Sequence, residues 1–232
     1  MVRFTLLFLF VSITAVAQRD TTAIFDGIGI FKLGRTYDQI SADLEKQQYQ
    51  YITSNDSAKF SEIKNSGNQV YFEVKYNYDD PQKNLPNAIS CQLTRVLYIP
   101  QFMASTSSAV TDVYLRFYKG ILIWGNMGCM PDLKANIENQ LGLPQVKCES
   151  AEKTCFASGK PQPYMEDYFE YTYSTNQDTM QALVSSKVSK NYRCDSTVTQ
   201  SLLYYSSGSL WFQAYECEMG DKIAQEEVAK KK

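Results

Sequence analysis

The sequence predicts an α+β protein, antiparallel and sheet-rich, with two short helices and a set of disulfide staples. Three observations predict it. Apolar and polar residues alternate over much of the chain, two stretches carry helix start signals, and six cysteines follow an N-terminal export signal.

The chain opens with Met1, Val2 and Arg3. A greasy run from Phe4 to Val16 follows, in which only Thr5, Ser12 and Thr14 are polar and no charge occurs until Arg19. That run is shorter than the roughly 20 apolar residues a membrane span needs. A positive start, a short apolar middle and the small-x-small triplet Ala15-Val16-Ala17 form a secretory signal peptide over residues 1–17, cut before Gln18. The mature chain, one α+β domain over 18–220 with a charged tail over 221–232, is expected to be soluble, secreted or periplasmic, with no membrane span after cleavage.

The first helix is expected at Tyr37–Lys46. Thr36 and Gln39 have the spacing of a capping box, and Ile40 and Leu44 fall one turn apart. From Val70, the residues Val70, Phe72, Val74 and Tyr76 alternate with Tyr71, Glu73, Lys75 and Asn77, the period of a half-buried strand. Val113, Leu115 and Phe117 alternate with Tyr114, Arg116 and Tyr118. Lys119-Gly120 then offers the positive-φ turn of a tight hairpin returning through Ile121 to Trp124. The second helix is expected to begin at Pro131, whose missing N–H would be unpaired there anyway. Leu133, Ile137 and Leu141 share one face, and Gly142 and Pro144 stop it. A second hairpin is expected from Leu202–Tyr205 through Ser206–Ser209 to Leu210–Tyr215. Loops are expected at Ser54–Ser57, Asp79–Asn87, Ala104–Ser108 and Ala157–Pro163.

The two hairpins align. Setting Gly120 on Gly208 places Leu122 on Leu210, Trp124 on Phe212 and Cys129 on Cys217, and a helix precedes each. This predicts two copies of a helix-then-strands module, with halves 18–128 and 129–220. The six cysteines, Cys91, Cys129, Cys148, Cys155, Cys194 and Cys217, are an even number in an exported chain, so three disulfides are expected among 15 possible pairings. The repeat would pair Cys91 with Cys129, Cys194 with Cys217 and Cys148 with Cys155. Structural zinc favours closer cysteine spacing or histidine partners, so no metal and no cofactor are expected.

Composition excludes several functions. The 23 basic and 25 acidic residues balance without a polybasic stripe, so nucleic acid is not an expected partner. Histidine is absent, which removes Ser-His-Asp and Cys-His catalysis. No Gly-x-Ser-x-Gly elbow or phosphate-cradling glycine loop occurs. Paired carboxylates remain. Glu166, Asp167 and Glu170 lie among Tyr164, Tyr168, Tyr171 and Tyr173, the composition of a glycan-cleaving cleft.

Binding is the favoured reading. In the hairpin around Gly120, the face carrying Tyr114, Arg116 and Tyr118, with Ile121 and Ile123 across from them, has the residue types that concentrate interface energy. A protein or glycan ligand is the working expectation there. For these residues themselves the structural reading is favoured, that helices cover this face or that tyrosine serves strand propensity and cross-strand packing.

The signal ending Ala-Val-Ala-Gln, the Gly34-Arg35-Thr36-Tyr37 helix start, and Phe117-Tyr118-Lys119-Gly120 leading to Leu141-Gly142-Leu143-Pro144 resemble exported proteins of the Bacteroidota. They also resemble the helix-plus-meander modules of the beta-lactamase-inhibitor and BamE type. The resemblance implies an envelope or inhibitor protein that binds other proteins, and it implies no site residues.

Overall fold

A computed structural model describes residues 25–52, 69–74, 91–103, 109–173 and 180–230. The signal peptide, the three expected loops between Ser54 and Ser108, and the end of the expected strand past Val74 lie outside the described residues. Where the chain is described, the fold is α+β and sheet-rich. It contains β1 (Gly27–Ile28), β2 (Phe31–Lys32), α1 (Tyr37–Lys46), β3 (Gln50–Tyr51), β4 (Val70–Val74), β5 (Thr94–Met103), β6 (Ala109–Tyr118) and β7 (Ile121–Gly128). These are followed by α2 (Pro131–Leu141), β8 (Gln145–Ala157), β9 (Lys160–Tyr173), β10 (Met180–Lys190), β11 (Thr197–Ser207) and α3 (Gly208–Lys230).

Nine strands form one sheet in the order β3-β4-β5-β6-β7-β11-β10-β9-β8. Strands β4 to β7 are one antiparallel meander and β8 to β11 a second. They join where β7 pairs with β11, from Trp124 opposite Ser206 to Gly128 opposite Leu202. A helix precedes each meander among the described residues, α1 followed by the short β3 and then β4 to β7, and α2 followed by β8 to β11. The residue alignment behind the expected repeat fails, because Gly208 begins a helix rather than a hairpin turn. By order, the Lys119-Gly120 turn corresponds to the β10–β11 connection.

Local signals place α1 and α2 where the sequence predicted them. The Thr36 Oγ1 accepts from the Gln39 amide at 3.2 Å, and the Gln39 side chain accepts from the Thr36 amide at 3.0 Å. Ile40 and Leu44 are fully buried. Helix α2 starts at Pro131 and ends at Gly142, whose φ of 86° suits a residue without a β-carbon. Lys134 lies 3.4 Å above the Tyr171 ring and holds α2 over β9.

Both helices cover one side of the sheet, over a core that includes Leu97, Ile99, Leu115, Phe117, Met127, Val184 and Leu203. Tyr205 crosses this core and donates to the Phe31 carbonyl at 2.8 Å. Its ring fills the space above Gly125, where any β-carbon would overlap it.

The other side belongs to α3. The expected return strand Leu210–Tyr215 is instead the first part of this helix, and the tail beyond Gly220 continues it to Lys230. Leu210, Ala214, Cys217 and Glu218 turn toward the sheet at helical spacing, and Trp211 stacks on Tyr215 one turn later at 5.5 Å. The remaining expected loop, Ala157–Pro163, contracts to a two-residue turn. Ser158 and Gly159 take positive φ, as Lys119 and Gly120 do, and β9 is already extended from Lys160.

Two disulfides are formed, Cys91–Cys217 and Cys155–Cys194, with Cα separations of 5.6 and 5.4 Å. None of the three pairings expected from the repeat occurs, since Cys217 lies on α3 and is joined to Cys91, and Cys155 is joined to Cys194. Cys129 is unpaired and buried, and Cys148 is unpaired and exposed. No described helix is long and apolar enough to cross a membrane.

Candidate functional site

Tyr114, Arg116 and Tyr118 are on β6 as expected, but α3 lies over them. Arg116 is 1% exposed, and its Nη2 is 2.7 Å from Oε1 of Glu218, which is 5% exposed. Tyr118 is also buried, with Val96, Ile123, Trp124 and Ala214 in the same apolar cluster. Tyr114 packs its ring 4.6 Å from Tyr98, whose hydroxyl donates to Asp112 at 2.7 Å. Burial and that carboxylate push the Tyr98 hydroxyl far above its ordinary pKa. The expected open patch is thus an interior layer. A guanidinium in so dry a place needs an opposite charge, and Glu218 on α3 brings it.

A β-bulge changes which residues share this face. The register shifts between Arg116 and Phe117, so that Arg116 faces Trp124 while Phe117 faces Leu122. Ile123 is the extra residue, and it and Trp124 both turn toward α3. Trp124 therefore shares the α3-facing side with Arg116, whereas strict alternation from Ile121 and Ile123 would place it on the opposite face.

The carboxylates also separate. Glu166 pairs with Lys187 at 3.0 Å, and Asp167 accepts from the Ser150 hydroxyl at 2.6 Å on the opposite face of β9. Glu170 shares the face of Glu166 but lies four residues along the strand, about 13 Å at a 3.3 Å rise. The two carboxyl groups of a glycosidase stand about 5 to 9.5 Å apart. Tyr171 and Tyr173 turn into the helix-side core, where the Tyr173 hydroxyl meets Glu138 at 3.4 Å. Among the described residues, no group of three or more acidic or cysteine side chains is placed to hold a metal ion.

What the fold does assemble is an aromatic cleft at the seam between the meanders. Trp124 from β7, Leu183 from β10, Tyr204 and Ser206 from β11, and Trp211 and Phe212 from α3 line a space of about 480 Å³. Phe212 is 58% exposed at the rim of the cleft. Tyr204 hydrogen-bonds with Ser185 and Asn126, and burial raises its hydroxyl pKa. Tyr168 is exposed on β9 and lies on the same face of the sheet as Tyr204, two strands away. The cleft thus opens onto an outer sheet face where Tyr168, Glu170, Lys187 and Lys147 follow. Reading Leu210–Tyr215 as a strand hid this cleft, because only a helix brings Trp211 and Phe212 to its rim. The spacing of Leu210, Ala214 and Cys217 is the signal that could have revealed it.

A second concavity of about 590 Å³ lies at the far tips of the second meander, lined by Phe156, Gly159, Tyr192, Arg193 and Asp195. The Cys155–Cys194 disulfide holds the two tips together there, and the Phe156 and Tyr192 rings lie 5.2 Å apart. Compared with known proteins, the chain matches no family model, no curated protein and no solved structure.

Proposed function

We propose that this is a non-catalytic binding protein, exported to the periplasm or the exterior, that holds a protein ligand against the seam cleft and the tyrosine-rich face beside it. The cleft carries the reading. Trp124, Trp211, Phe212 and Tyr204 converge from three elements, and aromatic residues in a depression are where binding energy concentrates. Around them the outer face of β9 and β10 mixes tyrosine with paired charges, a surface suited to another protein. The export signal and the two disulfides support an oxidising compartment. The alternative, a glycan hydrolase using Glu166 and Glu170, has less support, since Lys187 occupies Glu166 and Glu170 is a long reach away.

The test is quantitative capture of partners from the envelope and secreted fractions. Tyr168→Ala combined with Phe212→Ala removes two exposed rings, so the thermal midpoint should hold while recovery of the specific partner falls at least tenfold, about 1.4 kcal/mol. An unchanged partner set would end the proposal. Release of reducing sugar that disappears in Glu166→Gln would transfer the protein to the hydrolases.

A further inference from the structure

The two edges of the sheet are unlike. At one end β3 is two residues long. At the other, β8 runs for 13 residues with neither a proline nor a register shift, and no described strand pairs with its outer side. Natural sheets rarely leave so long and regular an edge unpaired.

The backbone phase of that edge is fixed by two observations. Ala157 and Lys160 close the Ser158-Gly159 turn, so Ala157 faces β9 with its polar groups. The Phe156 N–H points the other way, donating to the Tyr192 carbonyl at 2.7 Å. Polar groups alternate along a strand, so Val146, Cys148, Ser150 and Glu152 aim their N–H and C=O outward.

Cys148 sits within this row. It is the exposed one of the two unpaired cysteines, whereas burial pushes the Cys129 thiol up to about 11 and keeps it inert. An antiparallel second copy, centred on Cys148, sets Lys147 opposite Glu149 twice and Val146 opposite Ser150. Centring on Glu149 sets that carboxylate against itself, and centring on Ser150 opposes Lys147 to Lys153. A centre at Ala151 pairs Glu149 with Lys153 but leaves the sulfurs apart. In the first register the two Cys148 residues form a hydrogen-bonded pair with Cα atoms about 5.5 Å apart, within the range a disulfide spans.

We propose that β8 is the interface of a two-fold homodimer in which two sheets join edge to edge and Cys148 of each copy forms an interchain disulfide. Two thiols become one S–S bond. Their two protons and two electrons pass by thiol–disulfide exchange to an external disulfide, which is reduced to its dithiol. The intrachain bonds Cys91–Cys217 and Cys155–Cys194 require the same class of oxidant. The interface is isologous, so each contact occurs twice.

The experiment uses the full chain exported from cells and purified without reductant. Intact mass and non-reducing electrophoresis should show a covalent dimer that reductant splits, with Cys148 joined to Cys148 in the peptide map. Cys148→Ser should run as a monomer when denatured, yet still dimerise in sedimentation. On that background Lys147→Glu should weaken dimerisation about tenfold by opposing two pairs of carboxylates, and Lys147→Glu with Glu149→Lys should restore it. Both side chains are well exposed, so the fold is not at risk. A monomer with a single alkylatable thiol at Cys148 would overturn the proposal. So would a dimer indifferent to Lys147→Glu.

Discussion

Arg116 and Glu218 show how one pair can decide the character of a whole face. Read along β6, arginine between two tyrosines looks like a recognition patch. In three dimensions the guanidinium is 1% exposed and lies 2.7 Å from a carboxylate on α3. Removing one partner of such a pair leaves a buried charge uncompensated, at a cost of about 3 to 5 kcal/mol. Glu218→Gln should therefore lower the urea unfolding free energy by about that much. Arg116→Met with Glu218→Leu should sit within about 1 kcal/mol of the wild type, because apolar groups of similar volume need no counter-charge. Near-equal stability of Glu218→Gln and the wild type would mean that α3 does not depend on this ion pair. The residue types of the patch were legible in the sequence, but its cover was not, since Glu218 reaches Arg116 from a distant part of the chain.

At the scale of elements, short-range signals suffice where they are strong. The Thr36–Gln39 capping box, Pro131 at the start of α2 and the Lys119-Gly120 turn each act within a few residues, and each defines its element. Helix α3 departs from the strand that its sequence suggests. Leu210 and Phe212 mimic strand alternation over one step, while the burial of Ala214 and Glu218 depends on a sheet face completed elsewhere in the chain. The Cys91–Cys217 disulfide ties that helix down across a sequence separation of 126, against 39 for Cys155–Cys194. Chain-entropy arguments make the longer closure the more stabilising by about 1 kcal/mol. Replacing Cys91 and Cys217 together by alanine should thus cost more in denaturant unfolding than replacing Cys155 and Cys194. The reverse order would indicate that the tip disulfide holds more of the fold than its loop length suggests.

For the whole molecule, layering changes from one end of the sheet to the other. Strands β5, β6 and β7 lie between α1 on one side and α3 on the other, whereas residues 145–154 of β8 are exposed on both faces. Hydrogen exchange should follow this gradient. Amides of β6 and β7 should exchange only on global unfolding, and the outward amides of Cys148, Ser150 and Glu152 should exchange orders of magnitude faster in monomeric protein. Uniform protection across the sheet would contradict it. The sheet-rich α+β class was legible because it follows from hydrophobic periodicity. Which strands meet at the seam was not, since β7 and β11 carry no mark that selects each other.

The nesting of the two sulfur bridges governs how the chain must mature. Cysteines leave the ribosome in numerical order, so Cys91 is followed by Cys129, Cys148, Cys155 and Cys194 before its native partner Cys217 appears. Oxidation in order of emergence would trap Cys91 on Cys129 and hold β7 away from a seam strand not yet made. Reaching the native bridge then requires either delayed oxidation or an isomerase that reshuffles the early bond, and cells without such an enzyme should accumulate the consecutive-pair isomer.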